Sequence, residues 1–190
     1  MNSEEENKEE KDIEDEGIHE IRTISYILSN GNRYEGGFVH GSKNGKGKYY
    51  WSNGDFYEGD YENGLKHGFG IFSYADGSRY EGEYFKDDKC GQGKFYYKNG
   101  DSYEGEFKNN LRDGYGVYKM VSGSIYEGYY KDGIAEGQGK YIFSDGTVFE
   151  GVYVKNEREG KGILTKPNGE KYQGTWKNGK RISKLVALPK

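Results

Sequence analysis

A single cysteine, Cys90, in 190 residues leaves no intrachain disulfide to form and fits a reducing compartment. No apolar run approaches the roughly 20 residues that a membrane-spanning helix needs. The opening MNSEEENKEE is acidic where a secretory leader would be basic and then apolar, so a soluble, cytosolic chain is expected. Aliphatic residues are too few for an ordinary Leu/Ile/Val core: the hydrophobic fraction is 32%, half of it aromatic at 16% of the chain, with 20 tyrosines. Clustered bases are missing as well. The net charge is −4, and residues 1–20 alone hold ten acids against two lysines, so the remainder is only mildly basic and nucleic acid is not an expected partner. The three histidines, His19, His40 and His67, are scattered, and with the lone cysteine they form neither a metal-ligand spacing nor a nucleophile–base pair. No catalytic residue, metal, cofactor or small-molecule substrate is therefore expected, and the chain reads as a non-enzyme.

What is present in abundance is repetition. The stretch Tyr80–Ser102, YEGEYFKDDKCGQGKFYYKNGDS, recurs with a period of 23 residues, its copies opening at Tyr34, Tyr57, Tyr80, Tyr103, Tyr126, Phe149 and Tyr172. Numbering the unit from its opening aromatic, position 2 is Glu until Gln173, position 3 is Gly throughout and position 5 is always aromatic. A Gly-x-Gly follows at positions 12 and 14, position 16 is aromatic as far as Tyr141 and then Leu164, and position 21 is Gly after Asn, Asp or Ser. The two-residue spacing of 1, 3, 5 and of 14, 16, 18 is that of strands, and the Asn/Asp-Gly at 20–21 is a turn. Each unit is thus expected to be a β-hairpin. If positions 7 to 12 form its first turn, position 5 opposes 14, position 3 opposes 16 and position 1 opposes 18, setting every face glycine across from a ring. In that register Glu83 neighbours Lys94 on the polar face. The five-residue link from position 18 to the next unit needs a left-handed glycine.

The fold class expected is all-β: an elongated, twisted, single-layer antiparallel sheet of tandem 23-residue hairpins, open and solenoid-like, with about fourteen strands. The chain divides into an acidic disordered tail over 1–20, an N-terminal half-repeat over 21–33 that keeps Tyr26, Leu28 and Asn30-Gly31, six full repeats over 34–171, and a partial seventh repeat with a cap over 172–190. In the last segment Ile182, Leu185 and Val186 are spaced i, i+3, i+4, so a short helix or an irregular apolar plug ending at Pro189 is expected to cover the last hairpin.

This unit, with its Y-E-G-x-aromatic opening, Gly-x-Gly and closing D/N-G turn, resembles the MORN repeat (membrane occupation and recognition nexus) from Arg22 to about Arg181. The resemblance implies the same hairpin sheet and a scaffolding role. MORN arrays occur in junctophilin-like membrane tethers, radial-spoke heads of cilia and protist cortical proteins, and beside catalytic domains in some lipid kinases and a lysine methyltransferase. A cytoskeletal, ciliary or cell-cortex setting is what that implies here. A secreted choline-binding module, also built of aromatic- and Gly-rich hairpins, would call for a leader and more tryptophan than Trp51 and Trp176.

Two candidate sites follow. The aromatic face is expected to take an extended or helical segment of a protein partner through Tyr57, Tyr61, Phe72, Tyr74, Tyr80, Tyr84, Phe95, Tyr97, Tyr103 and Phe107, because a one-layer sheet leaves its ring face uncovered. The competing reading is that the rings only pack on one another. A second candidate is the basic series at position 10, Lys43, Lys66, Lys89, Arg112, Arg158 and Arg181, broken by Ala135. Lining a sheet edge, it could contact an anionic membrane surface, although acids in the same loops favour a merely solvated edge. The repeated Glu at position 2 is structural rather than catalytic, and the Gly-x-Gly copies are not phosphate loops, since no helix follows them.

Overall fold

The computed structural model describes residues 22–189; the acidic tail expected over 1–20 lies outside them. The described chain is strands and turns only, ordered β1 (Arg22–Ile27), β2 (Arg33–Val39), β3 (Ser42–Tyr50), β4 (Phe56–Glu62), β5 (Leu65–Ser73), β6 (Arg79–Phe85), β7 (Asp88–Tyr96) and β8 (Ser102–Lys108). There follow β9 (Leu111–Lys119), β10 (Ile125–Lys131), β11 (Ile134–Ile142), β12 (Val148–Val154), β13 (Glu157–Thr165), β14 (Lys171–Lys177), β15 (Lys180–Arg181) and β16 (Val186–Ala187). They form one 16-stranded sheet in strict sequence order from β1 to β15, every neighbour antiparallel, with β16 turning back to pair with β14. The first and last strands do not meet, so the sheet is open. Among the described residues no helix is long and apolar enough to cross a membrane.

The register differs from the expected one by two residues, and the first turn explains why. In the third repeat β6 ends at Phe85 and β7 begins at Asp88, so the loop is only Lys86–Asp87, with φ of 50° and 73°. Two successive left-handed residues make the tight hairpin turn whose twist suits paired strands. Positions 9 to 12 are consequently strand rather than loop, and Cys90 lies in β7, opposite Glu83. Tyr80 then faces Phe95, Gly82 faces Gly93 and Tyr84 faces Lys89, with the ladder shifting between Gly82 and Glu83. Glycine therefore opposes glycine, and Lys94 faces Glu81 instead of Glu83.

That shift is a β-bulge, and it separates the roles of the two glycines in Gly-x-Gly. Position 12 is the bulge residue: Gly91 has φ of 54°, and its equivalents Gly45, Gly68, Gly114, Gly137 and Gly160 are also left-handed. The amide that the bulge frees is capped by the acid at position 4: Gln92 N–H donates to Glu83 Oε1 at 2.8 Å and Tyr115 N–H to Glu106 Oε1 at 2.8 Å. Position 14 is glycine for a different reason. A Cβ on Gly93 would lie 2.5 Å from Tyr80 Oη and one on Gly82 would lie 2.6 Å from Gly93 Cα, because the Tyr80 ring lies flat over the glycine pair. The phenol then reaches the main chain just beyond: Tyr80 Oη donates to the Glu83 carbonyl at 3.1 Å, Tyr57 Oη to Asp60 at 3.0 Å and Tyr103 Oη to Glu106 at 3.0 Å.

The five-residue links behave as expected, with Gly100 at φ 91° closing a turn in which Tyr97 N–H donates to Asp101 O at 2.9 Å. At the N-terminal end β1 takes the place of a preceding hairpin's second strand, Tyr26 opposing Tyr34 as Tyr49 opposes Tyr57. Among the described residues the C-terminal end holds no helix. β16 adds a short strand to β14, and of the three residues expected to plug the end only Leu185 packs on the core, Ile182 and Val186 being 63% exposed. A strand satisfies the β14 backbone groups, which a helix laid over the edge would leave unpaired.

Candidate functional site

The rings fall into two populations, divided by register. Positions 1 and 5 form a buried ladder. Tyr57, Tyr80 and Tyr103 are 0% exposed, and Tyr61, Tyr84 and Phe107 only 3 to 7%. They meet edge to face in an unbroken zigzag: Tyr61 to Tyr57 at 5.3 Å, Tyr57 to Tyr84 at 5.4 Å, Tyr84 to Tyr80 at 5.3 Å, Tyr80 to Phe107 at 5.1 Å and Phe107 to Tyr103 at 5.2 Å. The ladder runs on in the same way to Trp176, 4.8 Å from Phe149. This geometry matches the ring quadrupoles and supplies the core of the sheet. Six of the ten residues expected to bind a partner are thus spent on packing, and truncating Tyr80 or Tyr103 would damage the fold rather than probe a surface.

Positions 16 and 18 form the second population. Tyr49, Trp51, Phe72, Tyr74, Phe95 and Tyr97 stack in a continuous row, with centroids 4.5 Å apart for Tyr49 and Trp51, 5.1 Å for Trp51 and Phe72, 4.4 Å for Phe72 and Tyr74, 5.8 Å for Tyr74 and Phe95 and 4.6 Å for Phe95 and Tyr97. Tyr118 continues it at 5.5 Å from Tyr97, and Tyr141 donates its hydroxyl toward Met120 Sδ at 3.3 Å. All of these side chains lean on the ladder and stay half-buried. Phe72, Tyr74, Phe95 and Tyr97 are therefore the expected site residues that still offer surface.

The basic series lies between the two rows and not along a sheet edge. Position 10 opposes position 5, so each base is carried onto the ring face. Lys66 Nζ stands 5.8, 5.4 and 5.4 Å from the ring centroids of Tyr57, Phe72 and Tyr84, and Lys89 Nζ stands 5.2, 5.1 and 4.9 Å from those of Tyr74, Tyr80 and Phe95. Lys43 and Arg112 sit over three rings in the same way and Arg158 over two. The position is held by its main chain: Asp87 N–H donates to Lys66 O at 3.0 Å while Lys66 N–H donates to Asp87 Oδ1 at 3.0 Å, and Asn110 does the same for Lys89. Burial lowers the pKa of Lys43 and Lys66, with Asp87 opposing; at Lys89, burial and then the Lys66 charge push it down to about 8. Five bases so placed serve the ring face, and only Arg181 is exposed. Their expected place along a sheet edge is not what the register produces.

The opposite face mixes ion pairs, Lys48 with Glu58 at 3.2 Å, Lys94 with Glu104 at 3.4 Å and Lys140 with Glu127 at 2.8 Å, with the exposed rings of Phe69, Tyr115 and Tyr129. Position 2 thus pairs with position 15 across neighbouring strands. Such exposed pairs are worth little each, which suits a structural assignment for the repeated Glu. Burial, Glu83 and Asp88 together raise the Cys90 thiol pKa, keeping it protonated. No group of three or more His, Cys, Asp or Glu among the described residues is placed to hold a metal ion.

A family model described as MORN repeat matches residues 34–56, 57–79, 80–102, 103–125, 126–148, 149–171 and 172–181, with no gap between them. Among solved structures, the SAS-4 (dCPAP) TCP domain of Drosophila melanogaster, in complex with a proline-rich motif of Ana2 (dSTIL), is similar at 12% identity and a TM-score of 0.44, over 88% of this chain and 90% of that one. The wild-type TCP10 domain of Danio rerio CPAP is similar at 13% identity and a TM-score of 0.32, over 87% of this chain and 89% of that one. No curated protein matches the chain in sequence.

Proposed function

The chain belongs to the MORN-repeat family, and from that premise we propose that it is a non-enzymatic scaffold which holds a segment of a protein partner along its half-exposed ring row, in a cytoskeletal, ciliary or cell-cortex assembly. The observation that carries this reading is the surplus of rings. The buried ladder already completes a core, yet a second row from Tyr49 to Tyr141 stays half-exposed in one line, with bases interleaved. A continuous apolar strip on one layer marks an interaction surface, and tyrosine and tryptophan give large contact area at small entropic cost. The flanking lysines and arginines suit a segment that carries acidic residues.

The test uses substitutions for which the chain itself holds precedent. Position 18 is Tyr74 and Tyr97 in two repeats but Met120 and Lys166 in others, so Tyr74→Lys with Tyr97→Lys is expected to keep the fold while interrupting the row. Cross-linking mass spectrometry in the native cell should show the partner captured by the unmodified chain and lost from this variant. A loss of about 2 kcal/mol per anchor, roughly thirtyfold in affinity, is the expected scale. A control with Glu81→Gln and Lys94→Gln on the polar face should retain the partner. The reverse pattern, retention by the ring-row variant and loss by the control, would overturn the proposal.

A further inference from the structure

The base series has one break, at Ala135, and there the ring frame holds no cation of the chain's own. In the first four full repeats position 10 carries a cation over three rings, and in the sixth Arg158 sits over two, 5.9 Å from Phe143 and 5.3 Å from Phe149. Arg112 shows the frame in full, its guanidinium carbon 5.5 Å from Tyr103, 5.5 Å from Tyr118 and 4.7 Å from Tyr130. The corresponding rings around Ala135 are Tyr126 and Tyr141 of the fifth repeat and Tyr153 of the sixth. They are in place, and with Ala135, Asn156 and the neighbouring frame of Arg112, Tyr118 and Tyr130 they line one hollow of about 360 Å³ on the ring face. The backbone is held as in the other repeats, Ala135 N–H donating to Asn156 Oδ1 at 2.8 Å and Asn156 N–H to Ala135 O at 3.0 Å.

We propose that this cage binds an arginine side chain supplied by a partner, seated where the neighbouring repeats seat their own arginine. The chain provides the template. Position 10 is arginine on both sides of the gap, and Arg112 and Arg158 each combine ring contact with a hydrogen bond to the main-chain carbonyl at position 8 of the next repeat: Nη2 of Arg112 donates to Gly133 O at 2.6 Å and Nη2 of Arg158 to Gly179 O at 3.2 Å. The equivalent carbonyl beside Ala135 is that of Asn156, which lines the hollow. A guanidinium is planar, weakly hydrated and permanently charged, so it stacks on rings at a smaller desolvation cost than an ammonium. Arg112 lines the same hollow, so a seated guanidinium stands beside a like charge, as Lys89 stands beside Lys66, whose charge helps to lower the Lys89 pKa. The cage gives the partner segment a register: its acidic residues meet the lysines of the first three repeats and an arginine lands in the fifth. This deepens the proposed scaffold function and rests on it, but the cage can be read without any partner.

The experiment titrates N-acetyl-arginine amide, and in parallel the uncharged isostere N-acetyl-citrulline amide, into the full chain while following tyrosine ring resonances by NMR. The expected result is saturable shifts at Tyr126, Tyr141 and Tyr153 at no more than a tenth of the concentration at which citrulline acts. Ala135→Arg should close the cage from within, abolishing those shifts and raising Tm. Tyr141→Leu, which copies Leu164 of the following repeat, should fold and weaken the shifts at the two remaining rings by at least threefold. Equal shifts with citrulline, or arginine binding unchanged in both folded variants, would overturn the cage while leaving the partner-capture test of the ring row untouched.

Discussion

Gly93→Ala should unfold the centre of the array. The added Cβ would lie 2.5 Å from Tyr80 Oη, 2.6 Å from Cε2 and 2.7 Å from Cζ. The ring cannot swing aside, because Tyr80 is 0% exposed and wedged between Tyr84 at 5.3 Å and Phe107 at 5.1 Å. Accommodating the methyl means expelling the ring, and losing a buried aromatic costs about 3 to 5 kcal/mol. Set against a total stability of roughly 5 to 15 kcal/mol, that is enough to melt neighbouring hairpins, since each repeat is stabilised by contact with the next. Thermal unfolding followed by circular dichroism should show a large fall in Tm or a separate early transition. The cause can be isolated with a double variant. Tyr80→Leu removes the ring that the methyl strikes, so Gly93→Ala should add far less destabilisation to that background than to the unmodified chain. An effect of Gly93→Ala below about 1 kcal/mol would contradict the close packing of ring on glycine pair.

The second large effect is alkaline collapse. Burial raises the pKa of Tyr34 and Tyr126 to about 12 and holds those of Tyr57, Tyr61, Tyr80, Tyr84, Tyr103, Tyr130 and Tyr153 higher still, from an ordinary value of 10.0. A group whose folded pKa is raised contributes stability that is present below the unfolded pKa and lost as pH rises from there toward the folded value. Above about pH 10 the unfolded chain ionises these phenols while the folded chain cannot, and each lowers stability by about 1.4 kcal/mol per pH unit. With several acting together, unfolding should be complete within about one to two pH units above 10. Lys89 acts with the opposite sign in an earlier window: its folded pKa of about 8 lies below the ordinary 10.5, so its contribution rises with pH between those values. Stability should therefore hold or climb slightly from about pH 8 toward 10 and then fall steeply. Tyrosinate absorbance recorded with circular dichroism should show one cooperative burst coincident with loss of the sheet; a gradual, non-cooperative titration near pH 10 would mean that the phenols are accessible.

The sequence carried the repeat, the strand pairs, the open array and the long link with its left-handed glycine, because a strict 23-residue period and two-residue alternation leave little choice. Register was not legible in the same way. Gly91 and Gly93 are identical letters two apart, one required by a left-handed bulge and the other by the ring of Tyr80. Lys86–Asp87 gives no glycine to announce a two-residue turn. Asn63–Gly64 and Asp132–Gly133, at the equivalent places, are the signals that could have located it. Once the turn is shortened the register slips by two, and the consequences reach the site: Tyr80 and Tyr84 join a buried ladder, Phe95 and Tyr97 keep surface, and the bases move from an edge onto the rings. Ala135 was visible as a break in the base series, but its meaning depends on the three rings that only the folded register brings around it.

The division between packed and partner-facing rings is the claim on which the proposed function depends, and nitration of the native protein by tetranitromethane, mapped by peptide mass spectrometry, tests it most directly. Tyr49 and Tyr141 of the half-buried row should be modified in the folded chain, while Tyr57, Tyr80 and Tyr103 should react only after unfolding. Native modification of Tyr57, Tyr80 and Tyr103 as fast as that of Tyr49 and Tyr141 would show that the ladder is not a core and would contradict the account.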